Sequence, residues 1–412
     1  MRIAVVEPVG RGGLAHYACQ LARAMARQGA DVTLVTDRSF ELDRVAAPAT
    51  VARPLRLWDA KPAASAVPRR HRLRRLSRGA RWFWEWGRLV RWLGERRFDV
   101  VQLGDVRFAA ELPFVRALRR RVPLLADVCH NVHPLAHGGA GAGTFRLPAR
   151  ARAAYRRVYA SFDRVFVHFA SNRDAFLAAW SLPAERLTAI PHGPEELFAE
   201  LRDPAVGADT LRERHELPRE APVALLFGGL SPYKGVDLLL AAFARVAPLR
   251  PEARLVIAGY PLPGFDLERE RRRAAELGLA DRTRWVPAYI PEGEVAAWME
   301  LADVAVFPYR GGWQSGALHT ALTFGVPVVA TDVGATAEVL ARGGGRLVPP
   351  GDAPALADAL DGFLADPPAA RAVGAEGRRA LLAGASWERI AATMLATYEG
   401  DLASARARGG RR

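Results

Sequence analysis

The chain has 412 residues, half of them hydrophobic and a quarter charged. That is a globular mixture too long for one ordinary core, so two domains are expected. The apolar runs, such as Val223 to Phe227 and Val326 to Ala330, have the length of buried strands and fall far short of a bilayer span. The N-terminus lacks the pattern of a signal peptide. The two cysteines, Cys19 and Cys129, have no CxxC neighbour, which argues against a disulfide scaffold or a zinc site and for a cytoplasmic setting. The net charge of +14 is uneven: residues 69–97 carry eleven arginines against Glu85 and Glu95, interleaved with Trp82, Trp84, Trp86 and Trp92. Such a stretch suits an anionic surface, a membrane or a nucleic acid, or is the solvated face of a packed helix.

In chain order, Ile3 to Val6 reads as a strand, and Gly10, Gly12 and Gly13 as a turn. Leu14 to Arg27 has helical spacing, with Leu14, Ala18, Leu21, Ala22 and Met25 on one face. Asp31-Val-Thr-Leu-Val-Thr is the next strand. This βαβ opening favours a parallel sheet. Further strands follow at Val100–Leu103, Pro123–Val128, Asp163–Val167 and Leu187–Gly193, with helices from about Ala109 and Asn172. A second alternation begins at Pro222–Phe227, with strands at Arg254–Gly259, Thr283–Pro287, Val304–Pro308 and Val326–Thr331. Its helices are expected at 236–247, 267–277, 292–301 and about 315–324. Residues 194–220, rich in Pro, Glu and Arg, read as a linker. The expected fold is α/β: two doubly wound, Rossmann-like domains facing each other across a cleft, at residues 1–195 and 196–385, with a C-terminal helix and basic tail at 386–412. Ligands in such sheets bind at the carboxyl ends of the strands.

Two loops carry the chemistry of an anion site. Gly228-Gly229-Leu-Ser-Pro-Tyr-Lys234-Gly235 follows a strand and opens a helix; the glycines let backbone amides approach a phosphate and Lys234 adds a full charge. The plain alternative is a turn with a surface lysine. Ser315 and Gly316 begin a second helix after a strand, where Ser315 can cap it and leave amides for an anion. The plain alternative is a capped core helix. His130 ends a strand and so reaches a ligand position, or serves structure alone; His16, on the first helix, is equally open between core and cleft.

Taken together, these segments resemble the retaining glycosyltransferases of the GT-B fold, in particular family 4, nearly end to end. Arg11-Gly-Gly-Leu-Ala-His16 resembles that family's glycine loop and helical histidine. Cys129-His130-Asn131-Val132-His133-Pro134 resembles its acceptor-side histidine loop. Ile190-Pro-His-Gly193 resembles the end of its first domain, and the Lys234 segment its donor-phosphate loop. Phe324 to Glu338 resembles the stretch after its nucleotide-binding helix. Ser386-Trp387-Glu-Arg-Ile resembles the C-terminal helix that crosses back to the first domain. The family's two glutamates are absent: Gly312 and Thr320 stand at those positions, and Gly229 where the family has a phosphate arginine. The chain looks closer to a subgroup with Gln-Ser-Gly in place of the first glutamate.

The resemblance implies a donor site of Gly228, Gly229, Lys234, Tyr289, Ser315, Gly316, Thr320 and Glu338, holding a UDP- or GDP-type sugar. It implies an acceptor side of Gly12, Gly13, His16, His130 and His133 for a glycan or glycolipid, with His130 and Lys234 as the catalytic pair. Transfer with retention is implied, the leaving diphosphate stabilised by Lys234 and the Ser315 helix terminus and taking the acceptor's proton. No cofactor and no metal are expected, and no facing carboxylate pair is evident. A non-enzymatic binding or scaffold relative is the main alternative, which the missing glutamates favour; a sugar-nucleotide epimerase is a weaker one. Nucleic-acid binding is not expected, because no recognised module accompanies the charge. Trp82, Trp86, Leu89 and Leu93 fall on one helix face flanked by arginines, so the 69–97 segment is expected to dock on an anionic membrane, at the inner face of the plasma membrane, or to pack that face on the domain with the arginines in water.

Overall fold

The computed structural model describes residues 1–56, 71–133 and 147–409, with side chains given outside 71–78 and 408–409. They form two compact units. One consists of residues up to Ile190 together with the helix Trp387–Gly409, and the other runs from Pro191 to Ser386.

The first unit holds β1 (Arg2–Val6), β2 (Asp31–Asp37), β3 (Thr50–Leu55), β4 (Val100–Leu103), β5 (Leu124–Cys129), β6 (Arg164–His168) and β7 (Leu187–Ile190). All pair in parallel, in the order β3-β2-β1-β4-β5-β6-β7. Ile3 lies level with Val32 on one side and Val100 on the other. The second unit repeats the plan with β8 (Val223–Phe227), β9 (Arg254–Ala258), β10 (Thr283–Val286), β11 (Val304–Phe307), β12 (Val328–Thr331) and β13 (Gly345–Val348), in the order β10-β9-β8-β11-β12-β13. In both sheets the central strands are continuous apolar runs, because helices cover both faces of a parallel sheet. Alternation assigns the side chains to two cores: Leu226, Leu255, Ile257, Val304 and Val306 enter one, while Leu225, Val256, Ala258, Ala305 and Phe307 enter the other. The strand order reverses between β1 and β4 in the first sheet and between β8 and β11 in the second. Crossovers there leave in opposite directions and open a crevice at the strand ends.

The C-terminal helix is tied to the first sheet by polar contacts as well as packing. Tyr398 donates to Gln102 on β4 at 2.6 Å, and Arg164 on β6 clamps Asp401 at 2.6 and 2.8 Å. Trp387 packs its ring 5.0 Å from that of Tyr17 on the helix Gly13–Arg27.

Three expectations are corrected. The edge strands β3 and β13 carry weak patterns, with Pro54 in one and a largely exposed Gly-Arg-Leu-Val in the other, and periodicity does not reveal them. Residues 194–220 are no loose linker: they form the helices Leu197–Glu200 and Ala208–Arg214 and send Phe198, Val206, Leu211 and Leu217 into the second unit's core. The apolar stripe of the Arg-rich helix His71–Glu95 is not a membrane face. Trp86, Leu89 and Leu93 are 3%, 1% and 0% exposed, and Trp86 stacks on Phe114 of the next helix. A stripe of that width buries more apolar area against its own domain than it leaves available to lipid. The large apolar side chains that do emerge are Phe83 and Trp84, with Arg88 over the Trp84 ring at 4.8 Å. Arg69, Arg70, Pro134 and residues 410–412 of the basic tail lie outside the described residues.

Candidate active site

In the second unit the crevice between β8 and β11 is built from four segments. Gly228 leaves β8 with φ 105°, a conformation that favours glycine. A Cβ placed on it would lie 3.8 Å from Lys234 Nζ and 3.5 Å from Ala317 Cβ, so the glycine loop, the lysine and the first turn of the helix Gly316–Thr323 meet here. Gly229 turns toward Leu262 instead, 3.2 Å from where its Cβ would be. Lys234 ends a 3-10 turn and is 8% exposed. It donates to Tyr309 Oη at 2.7 Å and sits 4.4 Å from the centre of that ring. Among the described residues no carboxylate pairs with it, and burial pushes its pKa down. A buried ammonium without a counter-ion is costly, and an arriving anion relieves that cost.

Tyr309 lies two residues beyond β11 and is held from three sides. Thr331 Oγ1 donates to its carbonyl at 2.6 Å; Arg310 clamps Asp237 through two bonds of 2.6 and 2.5 Å; and the Arg310 amide donates to Tyr233 O at 2.8 Å. Its hydroxyl is 3.1 Å from Ser315 Oγ, which caps the helix by accepting from the Leu318 amide at 3.2 Å. His319 donates from Nδ1 to Ser315 O at 2.9 Å, and burial lowers its pKa to about 4, so the ring is neutral at physiological pH. His192 stacks on it at 4.3 Å. Glu195, 3% exposed, has Oε1 3.6 Å from where a Gly316 Cβ would stand.

The structure gathers Gly228, Lys234, Ser315 and Gly316, as the sequence indicates. Thr320 is 2% exposed and donates its hydroxyl proton to Gly316 O at 2.9 Å, inside its own helix, so it has no proton left for a ribose. Gly312 offers no side chain; its carbonyl packs against Gly334, where φ is 56° and a Cβ would overlap it, so only a glycine fits there. Tyr289 is exposed and bonded to Glu292, and Glu338 is exposed on the short helix Thr336–Leu340.

The crevice between β1 and β4 in the first unit holds what the sequence did not show: a buried set of carboxyls around one arginine. Glu7 follows β1, is 1% exposed, pairs with Arg107 and accepts from the Val9 amide at 3.0 Å. Its Oε2 lies 3.1 Å from where a Gly104 Cβ would be, at the end of β4. Asp105 accepts from Asn131 Nδ2 at 3.3 Å. Glu111 and Asp127 are 2% and 0% exposed. Burial pushes Asp105 up to about 7, Glu111 to about 8, and Asp127 well above the ordinary carboxylate range. One guanidinium cannot neutralise three buried carboxylates and the half-buried Asp105, so part of the cluster holds protons at neutral pH. Beside it, His130 Nδ1 is 3.2 Å from His168 Nε2, and the Tyr17 ring meets both edge-on at 4.6 and 5.2 Å. His16 is buried on the helix that Gly12, with φ 83°, and Gly13 open; His133 is half-buried 5.4 Å from Trp180.

Glu7, Asp105, His168 and Tyr309 went unread as site residues. Each is the last residue of a strand or stands one or two beyond it. The strand-end rule, applied to every strand, would have found them.

The cluster sets a pH dependence. Asp105 and Glu111 ionise near 4 in the unfolded chain but near 7 and 8 when folded. The folded state therefore binds more protons over this range, and stability falls as pH rises through it. Between pH 6.5 and 8.5 the melting temperature is expected to drop by roughly 3 °C or more. Asp105→Asn with Glu111→Gln should flatten the slope; an equally steep slope in that variant refutes the assignment.

Comparison with known proteins shows the family and the fold. The family model described as glycosyl transferases group 1 matches residues 208–380, and that of the glycosyl transferase 4-like domain matches residues 12–193. The chain is 31% identical over 322 residues to a GDP-mannose-dependent alpha-(1-6)-phosphatidylinositol monomannoside mannosyltransferase of Mycolicibacterium smegmatis, covering 76% of this chain and 79% of that one. It is 27% identical to a D-inositol 3-phosphate glycosyltransferase of Acidothermus cellulolyticus over 96% of this chain and 87% of that one. Among solved structures, sucrose-phosphate synthase of Thermosynechococcus elongatus superposes with a TM-score of 0.70 at 24% identity, over 98% and 99% of the two chains. HepE of Anabaena, solved with UDP and glucose, gives 0.71 at 18%, over 97% and 100%. The two Rossmann-like units are those of the GT-B fold. The chain belongs to the glycosyltransferases of the group 1 and family 4-like type.

Proposed function

We propose that this chain transfers a glycosyl group from a nucleoside-diphosphate sugar to a hydroxyl of a glycan or glycolipid acceptor, with retention and without a metal ion. The observation that carries the reading is Lys234: a buried ammonium lacking a carboxylate partner among the described residues, at the strand-order reversal of the second sheet, beside Gly228 and the start of the Ser315 helix. In the reaction the bond from the anomeric carbon to the diphosphate breaks and a bond to the acceptor oxygen forms. The acceptor's proton passes to the departing phosphate oxygen. Lys234 and the amides at Gly316 and Ala317 stabilise the negative charge that develops there, so no carboxylate base is needed. His130, with His168 behind it, serves the acceptor. The relatives' names support both candidate bases, since one is GDP-mannose-dependent and HepE was solved with UDP.

A panel of UDP- and GDP-sugars should contain one that raises the melting temperature, because a ligand bound only by the folded state stabilises it. That sugar should then be transferred to a glycan or glycolipid acceptor, in EDTA as well as without it. Loss of transfer in EDTA would refute metal independence. Stabilisation without transfer would make the chain a nucleotide-sugar-binding scaffold, the role that Gly312 and Thr320 in place of glutamates would fit.

A further inference from the structure

We propose that Tyr309 is a positioning residue that turns the Ser315 hydroxyl into a hydrogen-bond donor toward the diphosphate of the donor substrate; this rests on the nucleoside-diphosphate reading above. The argument is one of proton counting. An ammonium has only donors, so at 2.7 Å the Tyr309 oxygen must accept from Lys234. Tyr309 is 6% exposed, and burial keeps its phenol protonated. Its single proton then goes to the neighbour 3.1 Å away, Ser315 Oγ. That oxygen also accepts the Leu318 amide at 3.2 Å. A hydroxyl has two lone pairs, and both are now filled. The one hydrogen left on Ser315 therefore points away from the protein network, and Ser315 is only half-buried, so a ligand can meet it.

The ammonium thus sets the direction of the whole chain, Lys234 to Tyr309 to Ser315. Bonds aligned in one sense polarise each other and strengthen the last donor. Beside it stand the Gly316 and Ala317 amides of the helix start and the remaining protons of Lys234. These groups are donors, which fits the non-bridging oxygens of a diphosphate, and the Glu195 carboxylate stands near Gly316 as the acidic neighbour. A bare cap would leave the serine proton free to rotate. Tyr309 removes that freedom before the ligand arrives, and Thr331 and Arg310 in turn hold Tyr309 in place.

The experiment is a double-mutant cycle on UDP and GDP affinity, read by calorimetry on the full chain. Tyr309→Phe and Ser315→Ala should each weaken binding about ten-fold. The double variant should be no worse than Ser315→Ala alone, because one bond is lost either way. Ser315→Thr, which keeps a hydroxyl, should retain affinity. Should Tyr309→Phe destabilise the fold, the Ser315→Ala step made in the Tyr309→Phe background still decides, since both members then share the same altered fold and no further loss of affinity is expected between them. Strictly additive losses, or full affinity in Tyr309→Phe or Ser315→Ala, would overturn the proposal. If the unaltered protein binds neither nucleotide, the underlying functional reading fails instead.

Discussion

Lys234→Ala is expected to lower turnover by roughly 10²–10³-fold, the usual cost of removing one charge-stabilising group from an active site. Nucleoside-diphosphate affinity should fall with it. The melting temperature should not fall, and this combination distinguishes a ligand-binding lysine from a structural one. Lys234 is 8% exposed, and the one hydrogen-bond partner of its ammonium among the described residues is a neutral phenol. Burying that ammonium opposes folding, as the downward shift of its pKa shows. Removing the charge relieves this cost and leaves a small void, two effects of opposite sign. Lys234→Met, which fills the space, should be at least as stable as the parent. Unchanged nucleotide affinity in either variant would overturn the placement of the diphosphate. A large loss of stability in both would show that the ammonium is held by something other than the substrate.

Gly235→Ala is expected to give the largest structural effect of any single methyl group in the site. Gly235 sits in the left-handed region at φ 69°, ψ 34°, which costs an alanine about 1–2 kcal/mol. Its Cβ would also stand 2.0 Å from the carbonyl oxygen of Pro308, a backbone atom that cannot swing aside. Relieving that overlap means moving the loop after β11, and with it Tyr309, at a further cost of about 1–3 kcal/mol. Gly278→Ala is the control. That glycine has nearly the same φ, 71°, but nothing within 4 Å of its Cβ. Thermal unfolding should therefore show a small fall for Gly278→Ala and a distinctly larger one for Gly235→Ala, with nucleotide affinity lost only in the latter. Equal falls would mean that the close approach of the two loops is not real.

Much of this site was legible beforehand because its parts are local. A glycine after an apolar strand, a lysine six residues on and a serine before a helical run each announce their geometry within a few residues. Lys234 and Ser315 are brought together, as the resemblance implied. Thr320 went the other way. A buried threonine in a helix bonds the carbonyl four residues back, and no pattern of neighbours distinguishes that from a threonine facing a ligand. The Arg-rich helix stayed open between two readings for a related reason. Periodicity identified Trp86, Leu89 and Leu93 as one face, correctly, but an apolar face has the same spacing whether lipid or the next helix covers it.

By itself, then, the sequence determined the alternating βα rhythm, the parallel sheets that follow from it, and the loops where backbone amides and a lysine could meet an anion. Those features depend on side-chain period and on glycine conformation, which are properties of short segments. The tertiary structure alone decided which strand ends became neighbours. By reversing the strand order between β1 and β4 and between β8 and β11, it gathered Glu7 with Asp105, and Lys234 with a tyrosine 75 residues away. Such contacts arise from strand order, which depends on how the helices pack across the whole sheet rather than on any stretch of chain that a periodic pattern can span.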